Sequence, residues 1–284
     1  MALFDNTNNY LNSTKEFLES NSLIAKFSFL LLVIFVFIIL LRLAASFLTW
    51  AFSYNEDPIL FKGMKDAKTM SRISTNPNTP NSIPILRSSN RTDGLEFTWS
   101  VWIFIDDPIY KQNQYKHIFN KGNDAHDNNG IMKPNNSPGL YLTPITNNQQ
   151  NLLIRMNTFE EMNEDVLVED IPINKWVSII VRCDQHQIDI YINGVLTKRH
   201  ILQGVPKQNY DDVWVTLNGG FDGYVSELRY FARAIGLGRI QSIVDSGPNL
   251  RMEGSDITKA MPQYLSTRWY FSGAGDGYNP SSKL

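Results

Sequence analysis

The sequence predicts an all-β domain, built as a two-sheet antiparallel sandwich and preceded by one transmembrane α-helix. Three observations carry this prediction. Residues 27–41 read FSFLLLVIFVFIILL without a charge, residues 97–105 alternate with the period of a strand, and IDIYINGVLTK at 188–198 has the form of a hairpin. From about Ile83 onward, short strand-like runs alternate with turn residues, as in sandwiches and barrels.

The composition sets the outer limits of this interpretation. The chain has 284 residues, is 43% hydrophobic and carries a net charge of −2, so a large core is possible and charge gives no case for nucleic-acid binding. The single cysteine, Cys183, excludes an internal disulfide and shares a strand face with Val177, Ile179 and Val181. We therefore expect a buried thiol, in keeping with a reducing compartment.

The first two segments are a polar stretch, residues 1–22, and a transmembrane helix over residues 23–52. A core helix would show a polar stripe, and a signal peptide would not have Arg42 ahead of its only cleavage-like site, LAAS at 43–46. Lys26 and Arg42 would reach back to the two interfaces, and Trp50 would lie in the aromatic belt. Basic residues are more frequent after the helix than before it, which favours a cytoplasmic C-terminal domain.

Residues 53–82 are predicted to be a linker. They contain NEDP and then STNPNTPNS, and stretches rich in Pro, Asn, Ser and Thr are typical of loops and linkers. No internal repeat is visible in the chain.

The sandwich is predicted over residues 83–247. Residues 97–105 place Phe97, Trp99 and Val101 on one face and further aromatics on the other, as in a central strand. Asn193-Gly194 favours a type I′ turn, because both central residues need φ > 0. Trp99 and Trp176 are both expected to point inward. The other predicted strands are 117–120, 140–143, 152–156, 166–169, 176–183, 213–217 and 224–231.

The order of these motifs resembles the laminin G-like, concanavalin A-like jelly roll. The ordered set is GLEFTWSVWIFIDD, HIFNKGN, GLYL, INKWVSIIVRCD, IDIYINGVLTK and GGFDGYVSELRYFARAIGLGRIQSI. The resemblance implies a jelly-roll sandwich closed by a short helix. It does not settle function, because this fold hosts lectins, glucanases and protein-binding modules.

An enzymatic role is disfavoured, and no catalytic residues are assigned. Glucanases of this fold carry Glu-x-Asp-x-x-Glu, and the acidic run at 160–165, EEMNED, has a different spacing. The four histidines show no zinc-binding spacing, and no nucleophile elbow appears.

Oxygen ligands occur together in the loop KGNDAHDNNG, residues 121–130. Asp124, Asp127, Asn128 and Asn129 are of the type that Ca²⁺ uses, and members of the resembling family bind Ca²⁺ or glycan at a rim. The alternative is that Asp, Asn and Gly simply form turns, and the sequence favours that alternative. No cofactor is required, and Ca²⁺ is the one candidate.

The C-terminal tail, residues 248–284, is unusually aromatic. Tyr264, Trp269, Tyr270 and Phe271 follow the last predicted element, and we expect them to pack on the sandwich or on a partner protein. The order of membrane helix, laminin G-like domain and YLSTRWYF terminus is similar to that of membrane proteins encoded by large double-stranded DNA viruses. That resemblance implies a virion protein that links an internal membrane to capsid shell proteins.

Together these features predict a non-enzymatic, single-pass membrane protein whose sandwich attaches to another protein, as a minor capsid or membrane-linking component of a virion. A membrane-anchored glycan-binding lectin is the alternative, and a glycoside hydrolase ranks third. The expected partners are a lipid membrane, a protein and, in the alternative, a glycan.

Overall fold

The structure is a computed structural model that describes residues 15–16, 23–52, 55–92, 94–146 and 149–253. The chain divides into two compact units, Met1–Tyr54 and Asn55–Leu284. The predictions for most of residues 1–22, and for the tail beyond residue 253, lie outside the described residues.

The first unit contains helix α1, Leu23–Ala51, which has 29 residues. At 1.5 Å per residue it is about 43 Å long, more than the hydrocarbon core of a bilayer requires. Lys26, Arg42 and Trp50 all lie on it with exposed side chains, and the Phe47 and Trp50 rings pack 5.9 Å apart near its end. Its length and composition suit a membrane anchor or a signal sequence.

The second unit is a sandwich of two antiparallel sheets, as the sequence predicts. Sheet A has the order β1-β13-β4-β9-β10-β11 with β3 paired to β4, and sheet B has the order β2-β12-β5-β6-β7-β8. The strands are β1 (Ile59–Asp66), β2 (Ser71–Ile73), β3 (Ser89–Arg91), β4 (Gly94–Ile105), β5 (Lys116–Gly122), β6 (Asn136–Leu142), β7 (Leu152–Met156), β8 (Glu164–Val168), β9 (Trp176–Gln185), β10 (Gln187–Ile192), β11 (Val195–Ile201), β12 (Val213–Val215) and β13 (Gly223–Phe231).

The main core lies between the two sheets and is built by alternate residues of the strands. Strand β4 lies between β13 and β9, which confirms it as a central strand. Its Trp99 is 1% exposed, and its ring packs 5.1 Å from Phe119 and 4.9 Å from Tyr230. Cys183 is fully buried, and burial raises the pKa of its thiol.

The hairpin at 188–198 forms as predicted. Strands β10 and β11 are joined by Asn193 and Gly194 alone, with φ values of 50° and 80°, as a type I′ turn requires. The Asn193 side chain accepts a hydrogen bond from the Ser178 amide at 2.9 Å, which fixes the turn to β9.

The linker prediction for residues 53–82 is wrong in its first part, because β1 and β2 lie within it. In β1, Leu60 and Phe61 are buried, and the strand pairs with β13 at the edge of sheet A. Lysines and a glycine interrupt the apolar residues of β1, as is common in edge strands. The Pro- and Asn-rich stretch that follows at 74–82 makes the whole region resemble a linker.

Trp176 is also placed differently from the prediction. It precedes Val177, which points into the core, so strand alternation turns the indole to the outer face of sheet A. There its ring packs 5.7 Å from that of Phe104, with both side chains half-buried.

A second apolar cluster covers the outer face of sheet A. Helix α2 (Leu237–Ser246) sets Ile240 and Ile243 against the sheet, and both are buried. The other members of the cluster are Ile180, Tyr191, Phe231 and Ile235. This is the short closing helix that the resemblance implies.

The outer face of sheet B is covered by residues 123–135, called here the cover loop. Its Ile131 and Met132 pack on Tyr141, Leu153 and Leu217. Beneath the loop the Tyr141 hydroxyl donates to the Asn136 side-chain oxygen and accepts from the Met132 amide at 3.3 Å.

Candidate functional site

A pocket of about 350 Å³, called here the rim pocket, opens at one end of sheet B. Three chain segments line it: residues 72–79 at the end of β2, residues 122–124 at the end of β5, and residues 210–214 leading into β12. Strand β12 pairs with both β2 and β5, and this pairing brings the three segments together. The lining side chains are mostly polar.

The close approach of two backbone segments shapes the floor of the pocket. Gly122 ends β5, and a Cβ there would lie 2.0 Å from the backbone oxygen of Asn135. Only glycine fits in this position. The Gly122 amide donates to the backbone oxygen of Asp212 at 3.2 Å, which holds the segment before β12 against the end of β5.

Asp212 organises one wall of the pocket. Its carboxylate accepts from Arg72 at 2.7 Å and from the Thr75 amide at 3.0 Å, and the Arg72 guanidinium lies 5.2 Å from the centre of the Trp214 ring. Partial burial acts to raise the pKa of Asp212, but the Thr75 amide and Arg72 outweigh it and hold that pKa below its usual value. The wall is therefore fixed, ionised and internally paired.

The neighbouring strand β5 contributes a buried lysine that holds the segment before β12 in place. Lys121 is 4% exposed, and its ammonium group donates to the backbone oxygen of Asp211 at 2.7 Å. Desolvation lowers the pKa of Lys121 to about 8. This lysine holds the backbone of Asp211 in place, so that the Asp211 side chain extends into the pocket from a fixed position.

Several side chains in the pocket form no hydrogen bond or ion pair within the part of the chain that the structure describes. They are the carboxylates of Asp124 and Asp211 and the hydroxyl of Tyr210, all of them exposed. An ionised carboxylate is an acceptor only, whereas a phenol donates and accepts.

Two asparagines add donors to the same pocket. The Asn76 side-chain oxygen accepts from the Asn78 amide at 3.0 Å, and the Asn123 side-chain oxygen accepts from the Asn135 amide group at 2.9 Å. Neither NH₂ group donates a hydrogen bond within the described residues, so both are available to a ligand as donors. The pocket thus combines free acceptors, free donors and aromatic rings, which is the set that a polyhydroxylated ligand requires.

Comparison with known proteins identifies the family to which this sandwich belongs. Residues 79–241 match the laminin G-like family described as the concanavalin A-like lectin/glucanases superfamily. The chain belongs to this superfamily. The match covers most of the predicted sandwich, residues 83–247, and no curated protein matches the chain.

Among solved structures, similar chains are binding domains of botulinum neurotoxins. The receptor binding domain of botulinum neurotoxin D is 13% identical, with a TM-score of 0.44, over 68% of this chain and 44% of that one. The serotype G binding domain is 14% identical, with a TM-score of 0.41, over 64% and 46%. The serotype D ligand binding domain in complex with N-acetylneuraminic acid is 12% identical, with a TM-score of 0.44, over 69% and 44%. This chain spans less than half the length of each.

The four residues predicted as ligands do not form one site in this fold. Asp124 lines the rim pocket. Asp127 instead serves the cover loop, accepting from the amides of Asn129 at 3.0 Å and Ile131 at 2.9 Å and pairing with Lys133 at 3.3 Å. Burial acts to raise the pKa of Asp127, but these three groups outweigh it and lower that pKa.

Asn128 and Asn129 are both exposed on the cover loop and do not line the rim pocket. Across the described ranges, no three His, Cys, Asp or Glu side chains form a group that could hold a metal ion. The loop that the sequence singles out for Ca²⁺ therefore contributes Asp124 to the pocket, while its Asp127 stabilises a turn.

Sequence reasoning missed most of the pocket. Arg72 lies in the region predicted as linker, and Asp211, Asp212 and Trp214 precede or begin a strand. The signal available was QNYDDVW at 208–214, where two acids stand between two aromatics. The predicted interaction residues Tyr264, Trp269, Tyr270 and Phe271 lie outside the described residues.

Proposed function

We propose that this protein is a membrane-anchored, non-enzymatic carbohydrate-binding module and that the rim pocket holds the sugar. One observation carries the proposal: a single polar pocket contains two carboxylates that form no hydrogen bond or ion pair within the described residues, Asp124 and Asp211, together with amide donors and aromatic rings. Sugar hydroxyls donate to carboxylates and accept from amides, and the apolar faces of sugar rings pack on aromatic side chains.

The division of work within the pocket supports the same proposal. Asp212, Arg72 and Trp214 are paired with one another and form a wall that needs no ligand to be stable. Asp124, Asp211 and Tyr210 are available for a ligand. Binding then needs little rearrangement, and preorganisation of this kind lowers the cost of association.

The test is glycan-array binding by the full-length chain in detergent micelles, followed by titration of the best glycan. We expect the double variant Asp124→Asn, Asp211→Asn to bind at least tenfold more weakly, because a hydrogen bond to a charged group contributes about 1.5–3 kcal/mol. Asp170→Asn removes an exposed carboxylate that does not line the pocket and is the matched control. A chelator arm reports whether the carboxylates act directly or through Ca²⁺.

Two results would overturn the proposal. One is an array with no glycan bound above the level of a mock preparation. The other is a glycan bound equally well by the double variant. Hydrolysis of β-glucan by the purified chain would contradict the non-enzymatic part alone.

Protein attachment is the second candidate function, in the form of a minor capsid or membrane-linking protein of a virion. The observation that favours it is the aromatic tail with Tyr264, Trp269, Tyr270 and Phe271. Its test is co-purification of the full chain with capsid shell proteins, which a truncation after Met261 should abolish. Protease protection of the sandwich in sealed vesicles would test the cytoplasmic orientation that the basic residues favour.

A further inference from the structure

A second pocket, called here the basic pocket, has a volume of about 410 Å³ and shares no lining residue with the rim pocket. It lies where the β3–β4 hairpin, the turn between β9 and β10, and the segment after β11 come together. The side chains that give the pocket its chemical character are those of Arg87, Arg91, His186, Phe159, Val205 and Pro206.

Among the residues that the structure describes, the charged side chains that line this pocket are all basic. Its lining includes two arginines and a histidine but no aspartate or glutamate among the described residues. Arg91 is paired with Glu96, its Nε lying 2.5 Å from Oε1. The side chains of Arg87 and His186 have no hydrogen-bond or ion-pair partner within the residues that the structure describes. Within the described residues, the Arg87 guanidinium beside this concave surface thus has no counter-ion, and such a group binds anions, often bidentately.

One wall of the pocket is apolar, while Asn90, Thr92 and Gln208 add polar groups elsewhere in the lining. Phe159 is 69% exposed, and Val205, Pro206 and Leu95 complete the wall beside it. A large exposed aromatic ring next to a pocket is typical of the anchors that dominate protein interfaces. A sugar ring could pack one face on Phe159, but hydroxyls placed against the aliphatic Leu95, Val205 and Pro206 would lose hydrogen bonds to water without replacing them.

We propose that the basic pocket binds an acidic segment of a partner protein, in which a carboxylate stands next to an apolar side chain. The carboxylate lies between Arg87 and His186, and the apolar side chain packs on Phe159 and Pro206. Charge complementarity selects the acid, and the apolar wall selects a peptide over an acidic glycan. The proposal does not depend on the rim pocket, because the two pockets have separate linings.

The experiment is fluorescence anisotropy with the full-length chain in detergent micelles and a blocked, dye-labelled peptide that carries two glutamates flanking one phenylalanine. A second peptide with glutamines in place of the glutamates is the charge control. An oligogalacturonate of matched charge tests the acidic-glycan alternative. The variants are Arg87→Gln with His186→Gln, and Phe159→Ala. Lys175→Gln, an exposed lysine outside the pocket, is the matched control.

We expect the glutamate peptide to bind at least tenfold more tightly than the glutamine peptide. The double variant should remove that preference, Phe159→Ala should weaken binding at least fivefold, and Lys175→Gln should change it less than twofold. The rim-pocket double variant Asp124→Asn, Asp211→Asn should leave peptide binding unchanged, which separates failure of this proposal from failure of the carbohydrate proposal.

Equal binding of the two peptides, or an unchanged glutamate-peptide affinity in the Arg87 and His186 double variant, would overturn the proposal. So would no detectable binding at millimolar concentration. Tighter binding of oligogalacturonate than of the peptide, lost in the same double variant, would also overturn it and reassign the pocket to acidic glycans.

Discussion

The outer faces of the two sheets are covered in opposite ways. Sheet A is covered by helix α2, which contributes buried isoleucines to an apolar cluster. Sheet B is covered by the cover loop, which adds Ile131 and Met132 but is also tied down by hydrogen bonds from buried polar side chains. His117 supports the loop indirectly: its ring accepts from the Leu217 amide at 2.9 Å and bonds the Asn120 side chain at 2.8 Å, and Asn120 in turn donates to the Asn123 backbone oxygen at 3.0 Å.

The difference shows why an asparagine-rich loop is weak evidence of a ligand site. A helix satisfies its own backbone groups, so it can bury an apolar face without further partners. An irregular loop satisfies only part of its own backbone, so buried side chains must supply many of the remaining hydrogen bonds. Asn120, Asn136 and Asp127 are occupied in this way.

The largest effect is expected on the apolar side. Ile240→Ala removes a side chain that is 1% exposed in the cluster under α2 and should lower the free energy of unfolding by about 2–4 kcal/mol. Leu237→Ala, on the same helix but 68% exposed, should change it by less than about 0.5 kcal/mol. Urea denaturation of the full chain in detergent measures both. Equal losses would show that α2 does not pack as described.

The polar side should respond to the loss of a single oxygen atom. Tyr141→Phe leaves the Met132 amide and the Asn136 side-chain oxygen without a partner and should cost about 1–3 kcal/mol. Tyr210→Phe, at a ring that is 70% exposed, is the control and should leave stability unchanged. A neutral Tyr141→Phe would mean that the cover loop is held by its apolar contacts alone.

Acid should weaken the same face. Burial lowers the pKa of His117 from 6.5 to about 3, against the opposing hydrogen bond to Asn120. Below pH 6.5 His117 binds a proton in the unfolded chain but stays neutral in the folded chain. The stability that the neutral ring contributes is therefore complete above pH 6.5 and is lost progressively toward pH 3. Between about pH 7 and about pH 5.5 the loss should be about 1 kcal/mol. His117→Gln should flatten that dependence, and an identical slope in the variant would exclude His117 as its source.

The smallest effect should separate two aspartates of one loop. Asp127→Asn weakens the turn within the cover loop and its pairing with Lys133, and should cost about 1 kcal/mol of stability. Asp124→Asn should leave stability unchanged and weaken only the binding of a ligand in the rim pocket. Thermal unfolding measures the first difference and glycan titration the second. Reversed roles would mean that Asp127 faces the ligand and Asp124 the loop.

Most of the fold could be predicted from the sequence because strand periodicity and turn-forming residues are local features. Residues 97–105, the Asn193-Gly194 turn and the strand over 224–231 are all present in the structure. Strands β1 to β3 escape prediction, since short edge strands with charges and glycine lack a clear alternation. Trp176 shows that a large apolar side chain does not always point into the core. Its place in the strand, one residue before the inward-facing Val177, determines the face on which it lies.

The rim pocket could be predicted only in part, because it depends on strand order. Asp124, Asp211 and Arg72 are far apart in the chain and meet because β12 pairs with both β2 and β5. No local pattern encodes that pairing. The basic pocket has the same origin: Arg87, Phe159 and His186 come from three separate connections.

The two edges of sheet A have different consequences for self-association. Along β1, Met64 exchanges backbone hydrogen bonds with Arg251 and Glu253, at 2.7 and 2.8 Å, so this segment already occupies part of that edge. Strand β11, at the other edge, is almost wholly exposed. Two copies joined through sheet A would therefore use β11 on both chains, related by a twofold axis. Such an assembly closes at a dimer and cannot propagate into a fibre.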